Sequence, residues 1–180
     1  MLGTSSSNLS MRGSEPEDNG RIRRILIEIY DRLLEEYGPQ HWWPADTRLE
    51  VIIGAILTQS TAWSNVTKAI ANLKETGSLN IQVLSRMPDA ELAALIRPVG
   101  YYNSKAKKLK AFISHLETRF DGRLNLLLKG EMSSLRQELI SIYGIGDETA
   151  DSIILYAAEK PIFVVDSYTR RLLLLSLIHI

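Results

Sequence analysis

The residues with chemical potential gather in one stretch, Ile142 to Arg171, which reads IYGIGDETADSIILYAAEKPIFVVDSYTRR. Gly144-Ile145-Gly146 lies between two apolar helical patterns, so Gly144 can end one helix in the left-handed conformation while Gly146 lets the next begin. Such a turn leaves backbone N–H groups free at the positive end of a helix dipole, which suits a phosphate oxygen. Asp166 follows the apolar run Ile162-Phe163-Val164-Val165 and is expected where a buried segment emerges into a cleft or at a helix start. Capping the helix that begins near Ser167 is its plainest role, worth about 1 kcal/mol. Elsewhere, Trp42, Trp43 and Trp63 offer flat aromatic surfaces, although Trp63 also falls on the apolar stripe of its own helix. Lys105, Lys107, Lys108 and Lys110 crowd the first turns of another helix. Helical spacing sets only some of them on one side, so they read either as phosphate contacts or as solvated charges.

These groups need a scaffold, and the periodicity supplies a helical one. Residues 21–37 place apolar side chains at spacings of three and four, an amphipathic pattern stopped by Gly38-Pro39. Pro44 keeps the Trp42-Trp43 segment out of helix. Thr47 and Glu50 have capping-box spacing, and the run from Leu49 to Thr58 is apolar nearly all round, so it is expected to be a buried central helix. Gln59 closes it at the Ser60-Thr61 break. Further helices are expected over 62–76, 80–87 and 90–96. Another is capped by Asn103 or Ser104 and runs to Phe120, and a last one over 134–143 is capped by Ser134 with Gln137. Asp121-Gly122 is a turn signal. No strand alternation persists, so the class is all-α.

Composition sets the bounds. At 180 residues with 45% apolar content, one domain or two small lobes can bury a core. The 21 basic and 21 acidic residues cancel, so any attraction to nucleic acid must be local. Zero cysteines exclude disulfides and cysteine-held metal centres within this sequence, and His41, His115 and His179 show no ligand spacing. Residues 1–20 are rich in Ser, Gly, Asn and charge and read as a disordered tail or as residues foreign to the natural chain. No signal segment or bilayer-spanning run is evident, so a cytoplasmic location is the expectation, nucleoid-associated if the source is bacterial. After Arg171 the chain reads LLLLSLIHI. Four adjacent leucines cannot all face one core, so this end is expected either to need a packing partner outside the sequence or to be non-native over Ser176–Ile180.

The run L-x-x-I-Y-G-I-G-D-E-T-A-D-S-I-I-L-Y-A followed by K-P-I-F-V-V-D-S-Y-T-R-R resembles the helix-hairpin-helix and Gly/Pro-Asp module of base-excision DNA glycosylases. Upstream, I-I-G-A-I-L-T-Q-S-T-A-W and I-R-P-V-G-Y-Y-N-S-K-A-K-K-L resemble the endonuclease III branch, and W-W-P with T-A-W is similar to its 3-methyladenine DNA glycosylases. The resemblance spans roughly residues 25–171. It implies a two-lobed all-α fold: a central lobe over 47–129, and a second lobe from 21–46 with 130–180 that is incomplete because the family's later helices are missing.

It also implies roles. Asp166 would stabilise the oxocarbenium ion that develops as the N-glycosidic bond breaks, and would orient or deprotonate the attacking water, much as a carboxylate does in glycoside hydrolysis. Trp42, Trp43 and Trp63 would line a pocket for the extruded base, where rings favour a cationic methylated adenine by about 1–2 kcal/mol. Gln59 would fill the gap left in the duplex, or simply end its helix. Gly144, Ile145, Gly146, Glu148, Thr149, Lys105, Lys107 and Arg170, with Arg171 beside it, would meet the DNA backbone. Bifunctional members carry a lysine two positions after the second hairpin glycine; here Glu148 stands there, and a carboxylate cannot form a Schiff base. Many relatives also carry four cysteines around an iron-sulfur cluster, which this sequence lacks. The expectation is a monofunctional glycosylase without cofactor or metal, acting as a monomer on damaged double-stranded DNA. Its rivals are a noncatalytic DNA-binding module and an endonuclease III-type enzyme for another lesion.

Overall fold

A computed structural model describes residues 16–40 and 42–175, with side chains from Gly20 onward. His41, Ser176–Ile180 and the first fifteen residues of the expected tail lie outside the described residues. The helices are α1 (Pro16–Tyr37), α2 (Arg48–Leu57), α3 (Trp63–Glu75), α4 (Ile81–Arg86), α5 (Asp89–Leu95), α6 (Tyr102–Phe120), α7 (Leu124–Lys129), α8 (Met132–Ile140), α9 (Asp147–Tyr156) and α10 (Ser167–Leu175), with a 3-10 turn at Arg97–Val99. No strand occurs among the described residues, so the all-α expectation holds. Helix α1 begins at Pro16 and takes in residues 16–20, which had read as tail; proline is well suited to a first helical position.

The core is built around α2. Ile52, Ile53, Ile56 and Leu57 are fully buried, and the helix packs against α3, α6 and α9, so it joins the central helices to the hairpin. The cap forms as expected: Thr47 Oγ1 accepts the Glu50 N–H at 3.2 Å. The return bond differs, because the Glu50 carboxylate accepts the N–H of Asp46 at 3.0 Å rather than that of Thr47. Lys74, at the end of α3, reaches both Asp46 (2.7 Å) and Glu50 (2.8 Å).

Two other caps depart from expectation. Helix α6 starts at Tyr102 without a side-chain cap, because Gly100 (φ 63°) and Tyr101 (φ 44°) are both left-handed and turn the chain themselves. Helix α8 starts at Met132, and its cap is Glu131, whose carboxylate accepts the Ser133 and Ser134 N–H groups at 2.8 and 3.3 Å. A glutamate long enough to fold back onto the first turn displaces the expected Ser134 cap, and the Ser133 hydroxyl, followed by these backbone bonds, holds its pKa below the usual range. Helix α7, unexpected from sequence, buries Leu127 and Leu128 after the left-handed Asp121-Gly122 turn.

The ends of the chain are less covered. On α1, Ile27, Tyr30, Leu33, Leu34 and Tyr37 stay exposed, so the apolar stripe read from sequence is only partly buried. Of the leucine run on α10, Leu173 is buried while Leu172, Leu174 and Leu175 are exposed, as one face of a helix requires.

Candidate functional site

The hairpin forms where the sequence places it. Helix α8 ends at Ile140, and Ile142 and Ile145 drop into the core at 4% exposure each. Gly144 adopts φ 85°, a conformation that costs other residues, and a Cβ there would run into the Lys108 side-chain stem. Gly146 then caps α9 with extended backbone and no side-chain bond. The first-turn amides of α9 are thereby left without helical partners, at a turn where Gly146, Asp147 and Glu148 are exposed. Arg136 of α8 braces the hairpin from behind, donating to Asp151 (2.7 and 3.2 Å) and Asp147 (2.7 Å) of α9.

Gln59 contacts the hairpin directly. Its Nε2 donates to the Gly144 carbonyl at 2.9 Å and to Thr149 Oγ1 at 3.0 Å, and its Oε1 accepts from Lys108 Nζ. The turn carrying it is tight: Ser60 is left-handed at φ 52°, and Thr61 Oγ1 donates to the Val99 carbonyl at 2.7 Å. This turn and the Gly100-Tyr101 turn are thus tied side by side. Each presents an exposed residue in a sparsely populated conformation, Ser60 and Tyr101, and such residues persist only where the surroundings hold them.

The lysines divide sharply. Lys105 corrects the sequence reading: it is 3% exposed, and its ammonium donates to the Leu57 carbonyl (2.9 Å), the Val99 carbonyl (3.0 Å) and Thr61 Oγ1. All three of its donors are spent inside the protein, so none remains for a phosphate. Burial, then the charge of Lys108, lowers its pKa. Lys110 caps α4 through the Leu84, Ser85 and Met87 carbonyls. Lys107 alone of the four is exposed. Arg170 and Arg171 are exposed on α10. Thr149 is buried and Ile145 offers only backbone to the surface, whereas Glu148 is exposed in the first turn of α9.

At the other end of α9 three rings meet. Trp43 packs edge-on to Trp63 with centroids 5.4 Å apart and tilted against Tyr156 at 5.1 Å. Both indoles lie over Gly54 of α2, where a Cβ would meet Trp43 at 3.4 Å and Trp63 at 3.6 Å in ordinary contact. Trp42 does not join the group, being 72% exposed. Tyr156, which received no role from the sequence, is half-buried, and its pKa is raised by burial and then by the negative charge of Asp166. Asp166 is half-exposed, and its Oδ1 accepts the Thr169 N–H at 2.7 Å, so the helix-capping role is real. Its other carboxylate oxygen has no partner among the described residues.

Residues 53–176 match the model of the HhH-GPD superfamily of base excision DNA repair proteins. A Methanocaldococcus jannaschii protein named as a DNA repair glycosylase is 47% identical over 82% of this chain and 68% of its own length. Endonuclease III of Thermotoga maritima is 27% identical over 82% of this chain and 64% of its own. Among solved structures, the H. pylori 3-methyladenine DNA glycosylase bound to 1,N6-ethenoadenine superposes with a TM-score of 0.72 at 32% identity, covering 87% of this chain and 73% of that one. A trapped endonuclease III–DNA intermediate shares the fold with a TM-score of 0.72 at 21% identity, over 84% and 67% of the two chains.

Proposed function

The chain belongs to the HhH-GPD superfamily of base excision DNA repair proteins, whose members are DNA glycosylases, and on that premise we propose that it hydrolyses the N-glycosidic bond of an alkylated purine, 3-methyladenine first among candidates. The observation that carries this reading is the ring cluster of Trp43, Trp63 and Tyr156 beside Asp166. A cationic base needs electron-rich rings more than base-specific hydrogen bonds, and such rings are worth about 1–2 kcal/mol for a desolvated cation. An alkylated cationic base is also a good leaving group, so one carboxylate facing the sugar suffices without a strong general acid.

In the proposed reaction the hairpin amides of α9 hold a phosphate and the damaged nucleotide swings out of the stack. The base rests against Trp43 and Trp63. Asp166 opposes the positive charge growing on the sugar as the bond breaks, and directs water to the anomeric carbon. Its capped Oδ1 fixes the carboxylate while the second oxygen faces the reaction. The product is free base and an abasic site. Glu148 occupies the position where bifunctional relatives carry the amine, so no strand cleavage through a Schiff base is expected there. The H. pylori relative supports the substrate class; the endonuclease III relatives support another base lesion as the competing choice.

The test is direct. Methylated duplex DNA incubated with the protein is expected to release free 3-methyladenine and to leave intact strands until alkali is added. Release of an oxidised pyrimidine instead would move the substrate to the endonuclease III class, and binding without release of any base would make the chain a DNA-binding module. A covalent complex trapped with borohydride would overturn the monofunctional assignment.

A further inference from the structure

Besides Lys110, which caps α4, Lys105 is buried and Lys108 half-buried on α6, and among the described residues neither pairs with a carboxylate. Lys105 joins three segments at once: the end of α2 through Leu57, the following turn through Thr61, and the 3-10 turn before Tyr101 through Val99. One helical turn away, Lys108 donates to Gln59 Oε1, and the same amide passes on to Gly144 and Thr149 through Nε2. The stem of Lys108 also crosses the hairpin at the place where Gly144 has no Cβ. The two sets meet at Gln59, whose carbonyl lies 3.3 Å from Thr61 Oγ1 and whose side-chain amide reaches the hairpin, so the contacts of Lys105 and Lys108 connect the Val99 turn to the tip of the hairpin through one residue. Every donor of Lys105 and both ends of the Gln59 amide are used in these contacts.

We propose that Lys105 and Lys108 are positioning residues that lock the Gln59 turn to the hairpin, so that the turns at Ser60 and Tyr101 and the hairpin amides form one preset edge for DNA. This rests on the hairpin being the grip on the DNA backbone. The lysines act through Gln59 and the carbonyls rather than by touching phosphate. The arrangement pays in the free protein the ordering that would otherwise be required when DNA binds. Lysine suits the task because its three donors can collect carbonyls from separate segments.

The proposal separates from a phosphate role by salt dependence. A lysine that neutralises one phosphate contributes roughly one unit to the slope of log affinity against log salt, and its removal lowers that slope accordingly. Lys108→Met is expected to leave the slope unchanged while weakening duplex binding about tenfold at every salt concentration. Lys107→Met gives the phosphate-type comparison, a slope lower by about one. Gln59→Glu keeps an acceptor for Lys108 but loses the donors to Gly144 and Thr149. It should weaken binding to a similar extent, and the double variant should be little worse than either single one, because both break the same set of contacts. Amide hydrogen exchange of residues 142–149 in the DNA-free protein is expected to quicken at least tenfold in Lys108→Met and in Gln59→Glu. Since Lys105→Met removes a buried group, Lys108 and Gln59 carry the decision. A slope reduced by one in Lys108→Met, additive losses in the double variant, or hairpin exchange unchanged in both single variants would each overturn the lock. The exchange measurement needs no DNA, so it decides the matter even if the parent protein fails to bind a duplex, a result that would count against the glycosylase reading instead.

Discussion

The two ends of α9 are built from opposite materials. Its N-terminus meets Gly144 and Gly146 and is fixed by polar bonds: Gln59 to Gly144 and Thr149, and Arg136 to Asp147 and Asp151. Its C-terminus carries Tyr156 into a group of rings where contact is by surface, with Asp166 nearby holding one carboxylate oxygen without a partner among the described residues. The contrast matches the two tasks proposed for these ends. A phosphate is the same at every nucleotide and is met best by amides set in advance, because unsatisfied or mobile donors lose most of their advantage. A damaged base must be accepted from outside, so its wall is apolar, planar and partly exposed, with 37% of Trp63 open to solvent.

The largest expected effect lies at the pocket end. Asp166→Asn removes the charge that would oppose the oxocarbenium ion but leaves an oxygen able to cap α10. Single-turnover base release should fall by ~100-fold or more, the scale typical for loss of one electrostatic stabiliser, with affinity for damaged duplex retained. Near-normal turnover would remove Asp166 from the chemistry. At the hairpin end the signature should be reversed. Gly144→Ala places a side chain at φ 85° and against Lys108, a strain of order 1–3 kcal/mol. Duplex affinity should drop roughly tenfold by fluorescence anisotropy, while release from saturated complex changes less.

Selectivity between bases tests the ring cluster by itself. Replacing Tyr156 with leucine withdraws the ring that backs Trp43 and should reduce the preference for a cationic over a neutral base a few-fold, a part of the roughly 1–2 kcal/mol of cation–π attraction expected from the rings the base rests on. Tyr156→Phe keeps the ring and should keep the preference. Equal loss in both variants would show that the phenol beside Asp166, and not the ring, sets the site.

The same contrast explains how far the site could be read from sequence. Local chemistry was legible: the Gly144 turn, the Thr47 cap and the emergence of Asp166 at a helix start each depend on a few neighbouring residues, and each appears in the structure. Long-range partners were not. Lys105 looked like a surface cation because its acceptors, Leu57 and Val99, are carbonyls, which leave no trace in side-chain pattern. Tyr156 carries no signal of its own in the sequence; only the approach of Trp43, 113 positions earlier in the chain, brings it to the site. Trp42 and Trp43 were indistinguishable as neighbours, yet the chain direction after Pro39 turns one toward Gly54 and leaves the other outside. The Glu131 cap was hidden because serine is the commoner cap and two serines followed it.

The smallest expected effect returns to the hairpin, where one residue works against the task assigned to its end of α9. Glu148 is exposed in the first turn, so its carboxylate favours the helix dipole in the free protein and opposes a phosphate brought to the same amides. Asp147 shares that turn but is paired with Arg136 at 2.7 Å, whereas Glu148 has no ion-pair partner among the described residues. Glu148→Gln should therefore tighten binding to undamaged duplex a few-fold at low salt, consistent with the 0.3–1 kcal/mol typical of a charge at a helix end. The gain should shrink as salt is raised, while the rate of base release from saturated complex stays the same. Tighter binding that persists at high salt would mean that Glu148 acts through hairpin geometry rather than charge, and weaker binding would mean that it contacts the DNA favourably.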